Sequence, residues 1–150
     1  MKINKIFYKV KTAPEKEIFA FLSECSGTYI PPLDQRVNVR EYTKKIFEKS
    51  VTFEAWGDGS LLGFVAGYFN DTAGGSAFIT NVSVVRTYRG LGIASKLLDM
   101  CIEYAGKHNF REVTLEAHAG DTSAMNLYHK FNFKNYKRTK DILMMKREIV

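Results

Sequence analysis

Residues 86 to 96 read RTYRGLGIASK, and the part from Arg89 to Ala94 offers chemistry most directly. Arg89, Gly90, Leu91, Gly92, Ile93 and Ala94 stand where a β-rich run, VSVV at 82–85, gives way to helical spacing. A helix N-terminus carries about four unpaired N–H groups and the positive end of the helix dipole. Phosphate binds there without a charged side chain. Glycine lets the backbone approach closely, and Arg89 can add a charge-assisted contact. The alternative is a plain tight turn in which the glycines only relieve crowding.

Two familiar phosphate motifs do not fit. A nucleoside-triphosphate loop needs Gly-Lys-Ser/Thr after four spacers, which the chain lacks. A dinucleotide junction needs Gly-x-Gly-x-x-Gly, and Ser95 occupies the last position. That motif also follows the first strand of a βαβ repeat, whereas here a hairpin meander precedes it. His108, His118 and His129 show no metal-ligand spacing, so no metal is expected.

The junction must be held by its neighbours. Residues 2–10 read as a strand. Pro14-Glu15 opens a helix through about Glu24, with Thr12 as its candidate cap. SGTYIPPLDQR is a loop, stopped by Pro31-Pro32. Val37 to Lys49 has helical spacing through Val39, Tyr42, Ile46 and Phe47. Two β-rich runs flank Gly57-Asp58-Gly59, a strong hairpin signal. A turn at Asp71 to Gly75 leads to a third strand, FITNVSVV. After the glycines, Ile93, Leu97, Leu98, Cys101, Ile102 and Ala105 recur at helical spacing, ending at Gly106 and His108-Asn109. REVTLEA reads as a strand. Asp121 caps DTSAMNLYHKF, whose apolar face is Ala124, Leu127, Tyr128 and Phe131. From about Phe133 the tail reads as two strands. The order predicts an α/β (α+β) fold, and residues 76–117 a right-handed parallel crossover.

Bulk properties narrow the class. The 150 residues suit one domain, 1–150, with a sizeable core. A composition 45% apolar and 25% charged excludes disorder and fibres. No apolar run approaches the ~18 residues that span a bilayer, and the N-terminus lacks the apolar core of a targeting peptide. Cys25 and Cys101 are far apart and unpaired by motif, which suits reduced thiols in the cytoplasm. Net charge is +6, from 22 Lys and Arg against 16 Asp and Glu. The basic residues are scattered apart from Lys134, Lys137, Arg138 and Lys140, and no nucleic-acid motif accompanies them. The expectation is therefore no nucleic acid and no membrane partner.

Arg89-Gly90-Leu91-Gly92-Ile93-Ala94 matches Arg/Gln-x-x-Gly-x-Gly/Ala, and so resembles the pyrophosphate loop of the acetyl-CoA-dependent N-acyltransferases, the GNAT superfamily. LEAHAGDTSAMNLYHKFNF is similar to the later segment of that family, with Leu115, Glu116, Ala124, Leu127, Tyr128 and Phe133 in register. The chain departs at Asp121 (usually Asn), Asn132 (usually Gly) and Ala117 (usually a larger aliphatic residue). The resemblance covers about 60 to 133 well, and the first third only in its order of elements.

The resemblance implies a mixed, mostly antiparallel sheet of about six or seven strands flanked by four helices. It also implies attack of a primary amine on acetyl-CoA in a ternary complex. The ammonium, with a pKa of about 10, must lose a proton. The oxyanion needs a donor, and the leaving thiolate, with a pKa of about 8.5, benefits from an acid. By the resemblance Tyr128 is that acid. Glu116 is the leading base, and His118, two residues on and on the same face of a strand, can take the same role. Backbone groups of Val82, Ser83 and Val84 would hold the pantetheine arm and oxyanion. Residues 89–94 would hold the pyrophosphate, and Asp121 would border it. Cys101 lies on the apolar stripe, as packing.

The acceptor wall falls on TYIPPLDQRVNVREY, GYFNDTAGG and the tail. Asp34, Asp71 and Glu41 suit an ammonium. Arg36 and Arg40 suit a carboxylate or phosphate, and Tyr29, Tyr42, Tyr68 and Phe69 suit a ring. The mix suggests a small polar amine such as an amino sugar. Alternatives are a protein N-terminus or lysine, or a module that binds acyl-CoA without turnover. Dimers are frequent in the family, and no residue here specifies a homodimer.

Overall fold

Near-continuous burial along two central strands, and alternating burial along the third, decide the architecture. In a computed structural model that describes residues 5–149, β2 (Val51–Gly57), β3 (Ser60–Asp71) and β4 (Ser76–Val84) form an antiparallel meander. Both faces of β3 are buried over residues 61–67, which explains its nearly continuous apolar run. β1 (Phe7–Val10) adds antiparallel to β2. The expected first strand thus starts at Phe7, and its residues 2–4 lie outside the described residues. After β4 come α4 (Ile93–Lys107) and β5 (Glu112–His118), which pairs parallel with β4 as the crossover predicts. α5 (Thr122–Lys130) leads to β6 (Lys134–Thr139) and β7 (Ile142–Glu148). The seven strands run in the order β1-β2-β3-β4-β5-β7-β6.

One face of this sheet packs on α4 and α5. Phe53, Val65, Ile79, Val113, Leu115 and Met145 meet Leu97, Leu98 and Cys101 there. The opposite face of β3 takes α1 (Glu15–Cys25) and α3 (Val39–Lys49), with Phe64 and Ala66 against Ile18, Leu22 and Ile46. Leu97 and Leu98 are fully buried, so truncating either to alanine costs about 2–5 kcal/mol.

Four helices were expected, and among the described residues there are five. The fifth, α2 (Leu33–Arg36), is a single turn inside the Pro-Pro loop. Pro32 occupies its N-cap position and Leu33 is fully buried beneath it. The apolar anchor therefore makes a turn where the prolines alone suggest only a loop. α3 begins at Val39 because the Asn38 side chain accepts the Glu41 N–H at 3.0 Å.

Thr12 does not cap α1. Pro14 holds the N-cap position without a side-chain bond. Thr12 instead joins a cluster around Glu54, a fully buried carboxylate of β2. Glu54 Oε2 accepts the backbone N–H of Thr12 and of Ala13 at 2.9 and 3.0 Å. Its Oε1 accepts from Trp56 Nε1 at 3.0 Å, and the hydroxyls of Thr12 and Thr52 also donate to the carboxylate. Five donors on one carboxylate offset its desolvation. The cluster pins the entry to α1, where negative charge also meets the positive helix end.

Candidate active site

Ladder pairing between β4 and β5 starts at Ser76–Glu112 and stops at Ile79–Leu115. Both strands continue, β4 to Val84 and β5 to His118, so they splay apart. Thr80 causes part of this: Ala66 pairs with Asn81 and Gly67 with Ile79, which leaves Thr80 as the extra residue of a bulge. α3 holds the bulge, because the Tyr42 hydroxyl donates to the Thr80 carbonyl at 2.7 Å and lies 2.8 Å from its Oγ1. Past the bulge, the edge of β4 that faces β5 has no strand partner. Backbone groups of Val82, Ser83 and Val84 therefore border a cleft of about 540 Å³.

Every catalytic and cofactor residue named from the sequence lines this cleft except Leu91, which is 64% exposed beside it. Gly90 and Gly92 both have φ of 80°. A Cβ at either position would meet nothing within 4 Å. Crowding is thus not what requires glycine here; the left-handed backbone is. Gly92 is the N-cap of α4, with no side-chain cap bond and no acidic residue in the first turn. The first helical bond is Lys96 N–H to Gly92 O at 3.1 Å. The amides of Ile93, Ala94 and Ser95 are left for another acceptor at the cleft. Arg89 reaches the Val84 carbonyl through Nε at 3.4 Å, which holds its side chain beside the turn. An uncapped helix start, left-handed glycines and one arginine fit a pyrophosphate.

Tyr128 of α5 is 7% exposed and sits on the same cleft. Burial pushes its hydroxyl well above the usual value for a phenol, and the charge of Asp121 and the Tyr29 hydroxyl push it the same way. It stays protonated throughout the physiological range. A phenol held that high gives a hydrogen bond to a thiolate of pKa about 8.5 rather than surrendering its proton outright. Asp121 caps α5 as the sequence predicts, accepting the Ala124 N–H at 3.1 Å. That bond engages the carboxylate away from the glycine turn.

Glu116 is exposed at the cleft mouth, and His118 is half-buried two residues on. His118 Nδ1 accepts the Gly120 N–H at 2.9 Å. In the neutral ring the proton then sits on Nε2, so this imidazole offers a donor rather than a base. Of the two candidates, Glu116 is the better placed to accept a proton. Cys101 is inert packing: burial pushes its thiol up to about 12. Among the described residues no group of His, Cys, Asp and Glu is arranged to hold a metal.

Part of the site was hidden in the sequence. Tyr29, named only for its ring, puts its hydroxyl against Ser83 Oγ and donates to Asn81 Oδ1 at 3.1 Å. Ser83 Oγ also donates to Asn81 Oδ1 at 2.5 Å. All three are largely buried, and burial raises the Tyr29 pKa well above that of a free phenol. Asn81 carried no signal beyond its place beside the glycine motif. Arg36 reaches the cleft rim with its guanidinium 5.9 Å from the centre of the Tyr29 ring. Asp34 and Arg40, suggested as acceptor contacts, do not line the cleft, nor do Glu41, Tyr42, Tyr68, Phe69 and Asp71. Arg40 lies over Phe19 at 4.3 Å instead, and Lys45 over the Tyr68 ring at 5.1 Å.

The Acetyltransferase (GNAT) family profile matches residues 16–133. N-alpha-acetyltransferase 30 of Schizosaccharomyces pombe is 33% identical over 61 residues, which are 41% of this chain and 41% of that protein. The match thus spans less than half of that relative. Among solved structures, the ribosomal-protein-S18-alanine N-acetyltransferase of Escherichia coli superposes with a TM-score of 0.75 at 17% identity, over 95% of this chain and 94% of that one. The PaiA N-acetyltransferase of Thermoplasma acidophilum, solved in complex with coenzyme A, gives 0.76 at 15% identity over 95% and 99%. Identities this low establish the shared fold. Among the described residues no helix is long and apolar enough to cross a membrane.

Proposed function

The chain belongs to the acetyltransferase (GNAT) family, and we propose that it transfers an acetyl group from acetyl-CoA to the α-amine of a peptide chain. The single observation that carries the donor half is the splay of β4 from β5 beside an uncapped α4. The pyrophosphate would rest on the amides of residues 92–95 with Arg89 beside it. The pantetheine amides would pair with the free edge of β4 at Val82 to Val84, completing the interrupted ladder. The thioester would then lie between Tyr128 and Glu116.

Each chain group has one task. Glu116 takes a proton from the incoming ammonium, directly or through water, at its exposed carboxylate. Backbone N–H groups of β4 hold the oxyanion as it forms. Tyr128 donates its hydroxyl hydrogen bond to the departing sulfur. Tyr29, tied to Ser83 and Asn81, shapes the acceptor side of the same cleft.

An α-amine acceptor is supported by the exposed position of Glu116 at the cleft, with the exposed strand from Lys134 to Thr139 just beyond β7. The names of similar proteins, an N-alpha-acetyltransferase and a ribosomal-protein alanine N-acetyltransferase, point the same way. The small polar amine expected from the sequence is the second reading, favoured by Arg36 and Glu116 as opposite charges lining one small cleft. The test is coenzyme A release with short peptides, the same peptides blocked at the α-amine, and a panel of amino sugars. Acetylation confined to free α-amines supports the peptide reading. Turnover only with amino sugars moves the function to the second, and acetyl-CoA binding with no turnover of any amine removes both.

A further inference from the structure

Strand register lays out the surface beyond the cleft mouth. Glu116 of β5 pairs with Met144 of β7, which pairs with Lys137 of β6. One row further from the mouth, Thr114 pairs with Lys146, which pairs with Lys134. A bulge between Asn135 and Lys137 brings Lys134 and Lys137 to the same face. The opposite face holds Leu115, Leu143 and Met145 in the core against α4 and α5. The Glu116 face is the one that α1 and α3 cover over β3 but leave open over β5, β7 and β6.

Charge is concentrated on that hairpin. Residues 134–148 hold six Lys and Arg against Asp141 and Glu148, a net +4 of the chain's +6, and of these Lys134, Lys137 and Lys146 lie on the Glu116 face. Lys134 to Lys140 are exposed throughout. The ion pair found among the described residues, Lys107 with Glu103, is elsewhere. Lys134 stands directly opposite Lys146, a like-charge pair that costs the sheet stability, and the Lys146 ammonium lies 5.3 Å from the centre of the Tyr136 ring. A second copy does not suit this edge, because two such edges would repel.

Resting on the α-amine acceptor proposed above, we propose that this open face selects acceptors with acidic side chains about three to five residues from their N-terminus. Two strand spacings separate Glu116 from Lys137, about 10 Å, and an extended peptide rises about 3.3 Å per residue. An amine at Glu116 therefore brings its third and fourth residues to Lys146 and Lys137, and its fifth towards Lys134. The surface is wet, so its charges sort acceptors and speed their encounter more than they hold them.

The test uses peptides identical through residue 2 that carry Asp, Ala or Lys at residues 3 to 5. The Asp peptide should exceed the Ala peptide about 3- to 10-fold in kcat/KM, mostly through KM. The Lys peptide should be worst, and the spread should shrink in 0.5 M NaCl as screening shortens to a few Å. Lys134→Glu with Lys137→Glu should reverse the order while acetyl-CoA affinity stays as in the parent and Tm does not fall. Equal use of all three peptides overturns the inference and leaves the α-amine function standing, and so does a double variant that keeps the parent's order. Turnover of amino sugars without any peptide overturns both. If a 20-nucleotide RNA binds at 0.15 M salt, is lost from the double variant, and the peptides are used equally, the face serves nucleic acid and the inference falls.

Discussion

The two walls of the cleft are built from different material. The donor wall is one continuous segment, the β4 edge, the glycine turn and the start of α4, and it presents backbone. The proposed acceptor wall draws side chains from three places: Tyr29 and Arg36 in the α1–α3 connection, Asn81 and Ser83 on β4, and Glu116 and His118 on β5. The difference teaches where specificity can vary. A backbone site tolerates almost any side chain provided the two glycine angles survive. A side-chain site changes with every substitution in any of three separate places.

Substitutions can break this comparison, beginning with the largest effect. Tyr128→Phe should lower kcat about 100-fold or more while the acetyl-CoA Kd moves less than 3-fold, as read by stopped assays and calorimetry. An unchanged kcat would remove Tyr128 from the chemistry. Gly92→Val forces a β-branched residue to φ of 80°, so acetyl-CoA affinity should fall about 10-fold or more, with lower Tm. Parent-like affinity would show that the phosphates rest elsewhere. Glu116→Gln should cut kcat/KM about 10-fold, again without loss of donor affinity. An unchanged kcat/KM would assign the base to another group.

A milder change sharpens the acceptor side. Tyr29→Phe leaves Asn81 and Ser83 one partner short in a buried setting, at a cost of about 1–3 kcal/mol. It should raise the acceptor KM more than the donor Kd. The smallest effect is in alkali. Tyr29 and Tyr128 are both held protonated in the fold above the free-phenol value of 10.0. Above about pH 10 unfolded tyrosines ionise while these do not, so their stabilising contribution is intact below pH 10 and is lost as pH climbs beyond it. Tm between pH 8 and 11 should fall less in Tyr29→Phe than in the parent.

Legibility followed the same division. The glycine turn could be read because a left-handed backbone at a helix start restricts residue type at fixed spacing, and Asp121 could be read because capping is local. α2 was missed because a buried Leu33, not local propensity, makes that turn. Thr12 was misassigned because its true partner, Glu54, lies 42 positions away and was given no role in the sequence. Of the suggested acceptor residues, Tyr29 and Arg36 reach the cleft, whereas Asp34, Arg40 and Glu41 point to other contacts or to solvent. Nothing within the loop distinguishes these groups.

Sequence alone determined the order of the strands and the longer helices, the core stripes and the left-handed glycine turn, since each depends on residues within a few positions of one another. Tertiary structure alone decided that β4 and β5 part after Ile79 and Leu115, and that Tyr29 meets Ser83. It also decided that the lysines of the last hairpin share a face with Glu116. Those outcomes depend on register and on a bulge between strands distant in the chain, and the energy that sets them comes from packing the whole sheet.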